Sequence, residues 1–586
     1  MCGIVACSSA GEPVSDQCVA GLRRLQYRGY DSFGFAWCQP GGDIGRLRSL
    51  DALDEMVPQL PHATVALGHT RWATHGAVSL ENGHPHIASG GDFALVHNGI
   101  VENFQALKSA RVAAGRAFTS ETDTEVIVAC LEQQLAQTAD RRRAIAAVLK
   151  QLEGRNTLVA MFADGEIYGI RQGSPLVLGR GEHTLFLASD VLSFAPWTTR
   201  CFILPEAWVV RIADGGCNLY DASGEPATAD WQDCEVDPVA AGLDGFRHYM
   251  LKEVMEQWNT VAAQAMVTDE ALSPLVEAIH RARTVVVTGA GGAYYAARQV
   301  AWFLRNIAGV HALDAQAYEF DAMASCVAPG DLLLAISQSG ETADTLEAVR
   351  MAADRGMEIA SLVNMPMSTL SNLSRYAYAN RSGPEICVLS TKSAMAQLTF
   401  GYLLANATIG RSAEARANIQ RLSHRLSQYL CDERLTAIQP IARRLSAASH
   451  LFVLGKGGCY SSALTGALNI KEASYLHAEA FAAGELKHGV IALIEPGTPV
   501  LLFVPEPTGY LLNVAAEVKA RGAFLVGIGV QNNELFDGFI PLPELPTDAQ
   551  LIASIVPCQL LAYFIAVERG LNPDKPRNLA KSVTVQ

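Results

Sequence analysis

The chain opens Met1-Cys2-Gly3-Ile4-Val5, and removal of Met1 ahead of a small residue would leave Cys2 with a free α-amine. A thiolate is a strong nucleophile, and an α-amine with a pKa of about 7.7–8.0 serves as its base without a histidine neighbour. Alone, a cysteine at position 2 is most simply chance. Four further motifs follow in order: YRGYDSFG (Tyr27 to Gly34), GHTRWATHG (Gly68 to Gly76), HNGIVEN (His97 to Asn103) and SETDTEV (Ser120 to Val126). Together they offer an arginine for a carboxylate, an acid for an ammonium and an Asn-Gly pair for an oxyanion. Those are the requirements for cleaving the side-chain amide of a free amino acid.

A second chemistry lies far downstream. AISQSGETADTL puts Ser337, Gln338, Ser339 and Thr342 on a loop between a strand and a helix. Hydroxyls and backbone N–H groups at a helix N-terminus make a phosphate site that needs no metal. Ser390 and Thr391 of VLSTK, with Val388 and Lys392 beside them, add contacts. The glycine elbow Gly289, Gly291, Gly292 invites a dinucleotide reading, but its spacing is not G-x-G-x-x-G and no ribose-binding acid follows about 20 residues on. It reads instead as a strand-to-helix turn beside a phosphate.

The elements that must hold these residues fall into three textures. Residues 1–232 mix short strand-like runs with glycine turns and helical patterns, an α+β domain on antiparallel sheets. Residues 233–246 are acidic and rich in Gly and Pro, a linker. Beyond them, buried apolar strands alternate with long helices, the pattern of parallel α/β sheets covered on both faces. This half repeats itself: VVVTGAGGAYYAA matches LFVLGKGGCYSSA, so that Gly289 pairs with Gly455, Gly292 with Gly458 and Tyr294 with Tyr460. The two units are taken as 247–435 and 436–586, the first keeping the serine-rich loop that the second has lost.

Composition narrows the partners. The 586 residues exceed one hydrophobic core, and the net charge of −14 argues against nucleic acid. The 13 cysteines show no zinc spacing, and their scatter favours reduced, mostly buried thiols of a cytoplasmic protein. No signal peptide precedes the first motif. The apolar run LIASIVPCQLLAYFIAV falls short of the roughly 20 residues of a membrane span and reads as a buried interface helix.

With these motifs in place, the first domain resembles the N-terminal-nucleophile glutaminase domain of class II glutamine amidotransferases, an αββα sandwich. The resemblance implies Cys2 as nucleophile, Asn98 and the Gly99 N–H as oxyanion hole, Arg71 for the glutamine carboxylate and Asp123 for its amine. Thr74 and His75 would line the pocket, and Trp72 would stand at the ammonia gate. His69 reads as a structural histidine. The second half is similar to the paired sugar-isomerase (SIS) domains of the glucosamine-6-phosphate synthase (glutamine:fructose-6-phosphate aminotransferase) family, through RHYMLKEVMEQ, NIKEASYLHAEAFAAGELKHG and PRNLAKSVTVQ. That likeness implies His488 for ring opening, Lys581 for an imine and Glu472 as proton carrier. It also implies an ammonia path between domains, no cofactor or metal, and a homodimer in which His488 crosses the interface.

The departures from the family pattern gather near the sugar. Asn469 stands where the family has a lysine, one helical turn before Glu472, while Lys471 points about 100° away. Losing an ammonium there is expected to raise the glutamate's pKa. Ala290 and Gly291 replace two hydroxyl residues, Leu389 replaces an alanine, and Trp258 a proline. Three outcomes stay open on sequence: ordinary fructose 6-phosphate amination with neutral drift, amination of another sugar phosphate, or a non-isomerising glutaminase or sugar-phosphate sensor.

Overall fold

The computed structural model describes residues 2–234, 242–365, 368–506 and 508–583. Met1 and the middle of the expected linker lie outside them. The chain divides into two compact units, Met1–Ala240 with Ala580–Gln586, and Ala241–Leu579.

The first unit stacks an eight-stranded and a seven-stranded sheet, antiparallel throughout. Alternation along each strand builds the layers. Ile4, Ala6 and Leu67 of one sheet meet Val96, Val159 and Met161 of the other. The intervening Leu95, Leu158 and Phe162 face the opposite way, against Val126 and Ile127 of helix Asp123–Gln137 and Ile145 of helix Arg141–Leu149. Helix Ser15–Arg24 lies on the strands Gly3–Ser9 and Val65–Arg71. The result is the expected αββα sandwich. Strand Gln232–Asp233 closes an edge on Arg200–Ile203, and next to it Cys234 is bonded to Cys201. This pair corrects the reading of uniformly reduced thiols: strand pairing brings together two cysteines 33 residues apart.

The second unit contains two five-stranded parallel sheets. The first runs Ala312–Gln316, Val285–Gly289, Leu332–Ser337, Glu358–Val363, Tyr376–Ala379. The second runs His477–Ala482, His450–Gly455, Pro499–Val504, Phe524–Gly529, Gly538–Pro541. Both have the doubly wound order 2-1-3-4-5, in which ligands bind outside the carboxyl ends of the strands where the order reverses. The duplication extends to the turn backbone. Gly291 has φ 56° and ψ −128°, and Gly457 has φ 58° and ψ −129°, the first central position of a type II′ turn, which favours glycine. Helices Gly292–Asn306 and Gly458–Ser474 follow these turns and pack on each other. Residues Asp548–Glu568 are long and apolar enough to cross a membrane, longer than the sequence suggested, but they are buried like a core helix against Gly458–Ser474.

Candidate active site

In the first unit the strand Gly3–Ser9 sits between Thr184–Ala188 and Val65–Arg71, which brings Cys2 beside the end of the latter. The Trp72 backbone N–H donates to the Cys2 sulfur at 3.2 Å, and Gly3 N–H donates to Thr70 Oγ1 at 3.0 Å. Burial pushes the Cys2 thiol up, opposed by the Trp72 N–H and the nearby Arg71 guanidinium. Asn98 Nδ2 donates to the Cys2 carbonyl at 2.8 Å. Gly99 has φ 140°, and a Cβ there would stand 1.9 Å from the Arg155 carbonyl oxygen, so only glycine fits next to Asn98.

Asp123 is set by local sequence. Thr122 caps the helix, its side chain accepting from Glu125 N–H at 3.3 Å, and the Glu125 carboxylate takes the Thr119 and Ser120 N–H groups. Asp123 Oδ2 thereby reaches Val101 N–H at 2.9 Å, two residues past Gly99. The Arg71 guanidinium donates to the carbonyls of His75, Gly76 and Ala77 and holds the loop that carries Thr74 and His75. His75 stacks edge-on against Phe104 at 4.8 Å, while Thr74 is exposed. Cys2, Arg71, Trp72, Asn98, Gly99 and Asp123 are thus brought to one end of the sandwich by directly linked segments.

Two residues of YRGYDSFG carry parts that the motif alone did not assign. Arg28, paired with buried Asp190 at 3.0 Å, also donates to the Cys2 carbonyl at 3.4 Å, and Asp31 accepts from Ala73 N–H at 2.7 Å. Their charge inside a buried run was the signal.

In the second unit Ser337 ends its strand, and its hydroxyl accepts from Gly340 N–H at 3.0 Å. Ser339 Oγ accepts from Glu341 N–H at 3.1 Å. Thr342 caps helix Ala343–Asp354 without a side-chain cap bond, and Gln338 lies between the two serines. A Cβ on Gly292 would stand 3.3 Å from Ser390 Cβ and 4.0 Å from Leu468, so the glycine turn, the VLSTK loop and the helix bearing Glu472 converge. Ser390 Oγ bonds Ser393 Oγ at 2.9 Å, and Val388 is buried beside it. Leu389, read as a divergence near the sugar, is fully inside the hydrophobic core. Ala290 is packed against the neighbouring apolar cluster.

Along helix Gly458–Ser474 the residues Tyr460, Leu464, Leu468 and Glu472 form the half-exposed line, four residues apart. Asn469 is 2% exposed, and no described partner meets its Oδ1. Tyr295, which no motif flagged, has its phenol pushed up by burial, with Tyr318, Tyr460 and Glu472 adding to the shift. His488 lies in a short turn, Leu486–His488, and is solvent-exposed. The C-terminal segment is anchored where Asp574 accepts the N–H groups of Tyr249 and Met250, both at 2.7 Å. Arg577 then stacks over Tyr475 at 4.3 Å, three residues past Glu472. Lys581 follows, half-buried, in the residues that group with the first unit.

An αββα sandwich with Cys2 set beside Trp72 and Asn98, followed by a duplicated doubly wound α/β unit, is the architecture of a glutamine amidotransferase coupled to sugar-isomerase domains. A glutamine amidotransferase domain model matches residues 56–198, and a SIS domain model matches 278–407 and 444–567. Over the full length of both chains the protein is 38% identical to the glutamine–fructose-6-phosphate aminotransferase (isomerizing) of Methanothermobacter thermautotrophicus and 37% identical to that of Corynebacterium glutamicum. The solved C-terminal domain of the glucosamine-fructose-6-phosphate aminotransferase from Francisella tularensis is 30% identical with a TM-score of 0.53, over 57% of this chain and 100% of that one. The chain belongs to the glutamine–fructose-6-phosphate aminotransferase (isomerizing) family.

Proposed function

We propose that this protein converts fructose 6-phosphate and L-glutamine to glucosamine 6-phosphate and L-glutamate. The observation that carries the reading is kinship over the whole chain, which spans both the glutaminase and the isomerase halves. Cys2 attacks the glutamine side-chain amide, and Asn98 Nδ2 and the Gly99 N–H receive the oxyanion. The thiol proton passes to the departing nitrogen as ammonia leaves, and water then hydrolyses the thioester to release glutamate and free Cys2. Arg71 binds the α-carboxylate and Asp123 the α-amine, with Trp72, Thr74 and His75 around them.

The sugar phosphate rests on Ser337, Gln338, Ser339 and Thr342, with Val388 and Ser390 on the facing loop. His488 opens the ring, Lys581 forms an imine at C2 that ammonia displaces, and Glu472 carries a proton between C1 and C2. The exposure of His488 supports its delivery to a second subunit, and we infer a cytoplasmic homodimer.

Glutamine and fructose 6-phosphate are incubated with the protein, and the products are read by mass spectrometry. Glucosamine 6-phosphate in step with glutamate is expected. A second reading, another sugar phosphate as acceptor, draws on buried Asn469 and the hydroxyl-free turn at Ala290 and Gly291. A different aminated product from a sugar-phosphate panel would favour it, and glutamate release with no aminated sugar would sink both.

A further inference from the structure

We propose that His69 is a positioning residue for glutamine cleavage: it fixes the Asn98 side-chain amide with its NH2 group turned toward Cys2. The proposal rests on the reading of Asn98 as the oxyanion donor.

His69 is fully buried on strand Val65–Arg71, and its Nε2 stands 3.2 Å from both the His97 carbonyl and Asn98 Oδ1. These two oxygens are acceptors without a proton to give, and two oxygens facing one ring nitrogen require that Nε2 carry the hydrogen and donate to them. An amide has nearly the same shape after a 180° rotation, so packing does not choose the orientation of Asn98. Hydrogen bonding does. As found, Asn98 Oδ1 receives the His69 N–H while Nδ2 donates to the Cys2 carbonyl at 2.8 Å. The flipped amide would set oxygen against oxygen at Cys2 and N–H against N–H at His69.

The imidazole is itself held. His84 Nδ1 lies 3.0 Å from His69 Nδ1 and 3.1 Å from His69 Nε2, with the two rings nearly perpendicular at 88°. His84 Nε2 is 2.8 Å from Thr124 Oγ1, which also lies 3.1 Å from His97 Nδ1. Thr124 is the neighbour of Asp123. One buried relay therefore links the oxyanion donor to the helix turn that offers a carboxylate to the glutamine amine. Burial holds His69 at about 3, so the imidazole is neutral in its fixed tautomer across the working range.

The test uses the full chain with H69L, H69N and H69Q, alone and combined with N98A, following glutamine hydrolysis and the rate of Cys2 alkylation by iodoacetamide. Removing an oxyanion-hole donor outright costs about 10²–10³ in kcat. Freeing that donor to flip is expected to cost about 10- to 100-fold in kcat, with KM for glutamine and the alkylation rate held within about threefold. Asn is too short to reach Asn98 and should behave like Leu, whereas the Gln amide reaches as far as Nε2 and should restore most of kcat. In the N98A background H69L should add little, because both act through one donor. Full additivity in that cycle, or H69Q as impaired as H69N, overturns the role of His69. An N98A enzyme with unchanged kcat overturns the Asn98 reading itself.

Discussion

Gly292 and Ser390, 98 residues apart in sequence, face each other so closely that a Cβ on the glycine would stand 3.3 Å from the serine Cβ. This contact fixes the distance between the first strand-to-helix turn and the VLSTK loop. Gly292→Ala should displace Ser390 by a few tenths of an ångström. The expected result is a sugar-phosphate KM raised about 3- to 10-fold, on the scale of one weakened hydrogen bond, with glutamine hydrolysis unchanged. Steady-state kinetics of the two half-reactions check it, and an unchanged sugar KM would count against Ser390 as a ligand.

The neighbouring glycine behaves differently. Nothing lies within 4 Å of a Cβ placed on Gly291, yet its φ of 56° belongs to the region that side chains rarely adopt. Gly291→Ser, which restores the hydroxyl of the family pattern, should therefore destabilise the protein by about 1–3 kcal/mol. A lower urea midpoint with no fall in the sugar KM is expected. A stable variant that binds sugar phosphate more tightly would show that the turn can reshape.

Much of this was legible beforehand, because the chemistry sits at element ends that short motifs mark. SETDTEV marks the acid Asp123, and the paired Gly-rich turns announce the duplicated sheet. What the sequence hid depends on contacts between distant strands. That His69 faces Asn98 is set by the stacking of the two sheets, one strand in each, and a lone histidine on an apolar strand carries no sign of its partner. Leu389 misled for the opposite reason: it sits beside Ser390 in sequence, yet its side chain points into the core. Cys201 and Cys234 became partners only through the pairing of the short edge strand Gln232–Asp233 with Arg200–Ile203.

The histidine cluster should make the glutaminase domain acid-sensitive. Burial lowers His69 to about 3 and also lowers His84, His86 and His97. Arg71, Arg46 and Arg48 push members of the cluster further down, while Asp123 opposes the shift at His97. An unfolded histidine titrates near 6.5, so below that pH the unfolded chain binds protons that the folded one refuses. Stability is thus fully present above pH 6.5 and falls as pH drops toward about 3, by up to about 1.4 kcal/mol per pH unit for each histidine. Urea midpoints at pH 7.5, 6 and 5 should decline in that order. H69Q should shrink the decline, and a flat profile would mean the cluster is protonated when folded.

Asn469 offers a test by charge. A lysine at this position lies one helical turn from Glu472 and favours its ionised form. Asn469→Lys should therefore move the acid limb of the sugar half-reaction's kcat/KM profile to lower pH. Asn469→Leu, which brings no charge, should leave that limb in place. An acid limb that stays put in N469K would separate Glu472 from the titration that controls this step.

The exposed position of His488 makes its assignment to a neighbouring subunit testable by mixing. E472Q and H488A homodimers should both lack isomerising activity, because every site in each is missing one group. In a two-fold dimer with His488 supplied across the interface, a hybrid of the two variants pairs both lesions in one site and leaves the other site intact. Random re-association makes half the dimers hybrid, so the mixture should recover about a quarter of wild-type activity. If His488 served its own chain, each site of the hybrid would keep one lesion and the mixture would stay inactive. Recovery that appears only after dissociation and re-association, and not on simple mixing, completes the argument for exchange of whole subunits.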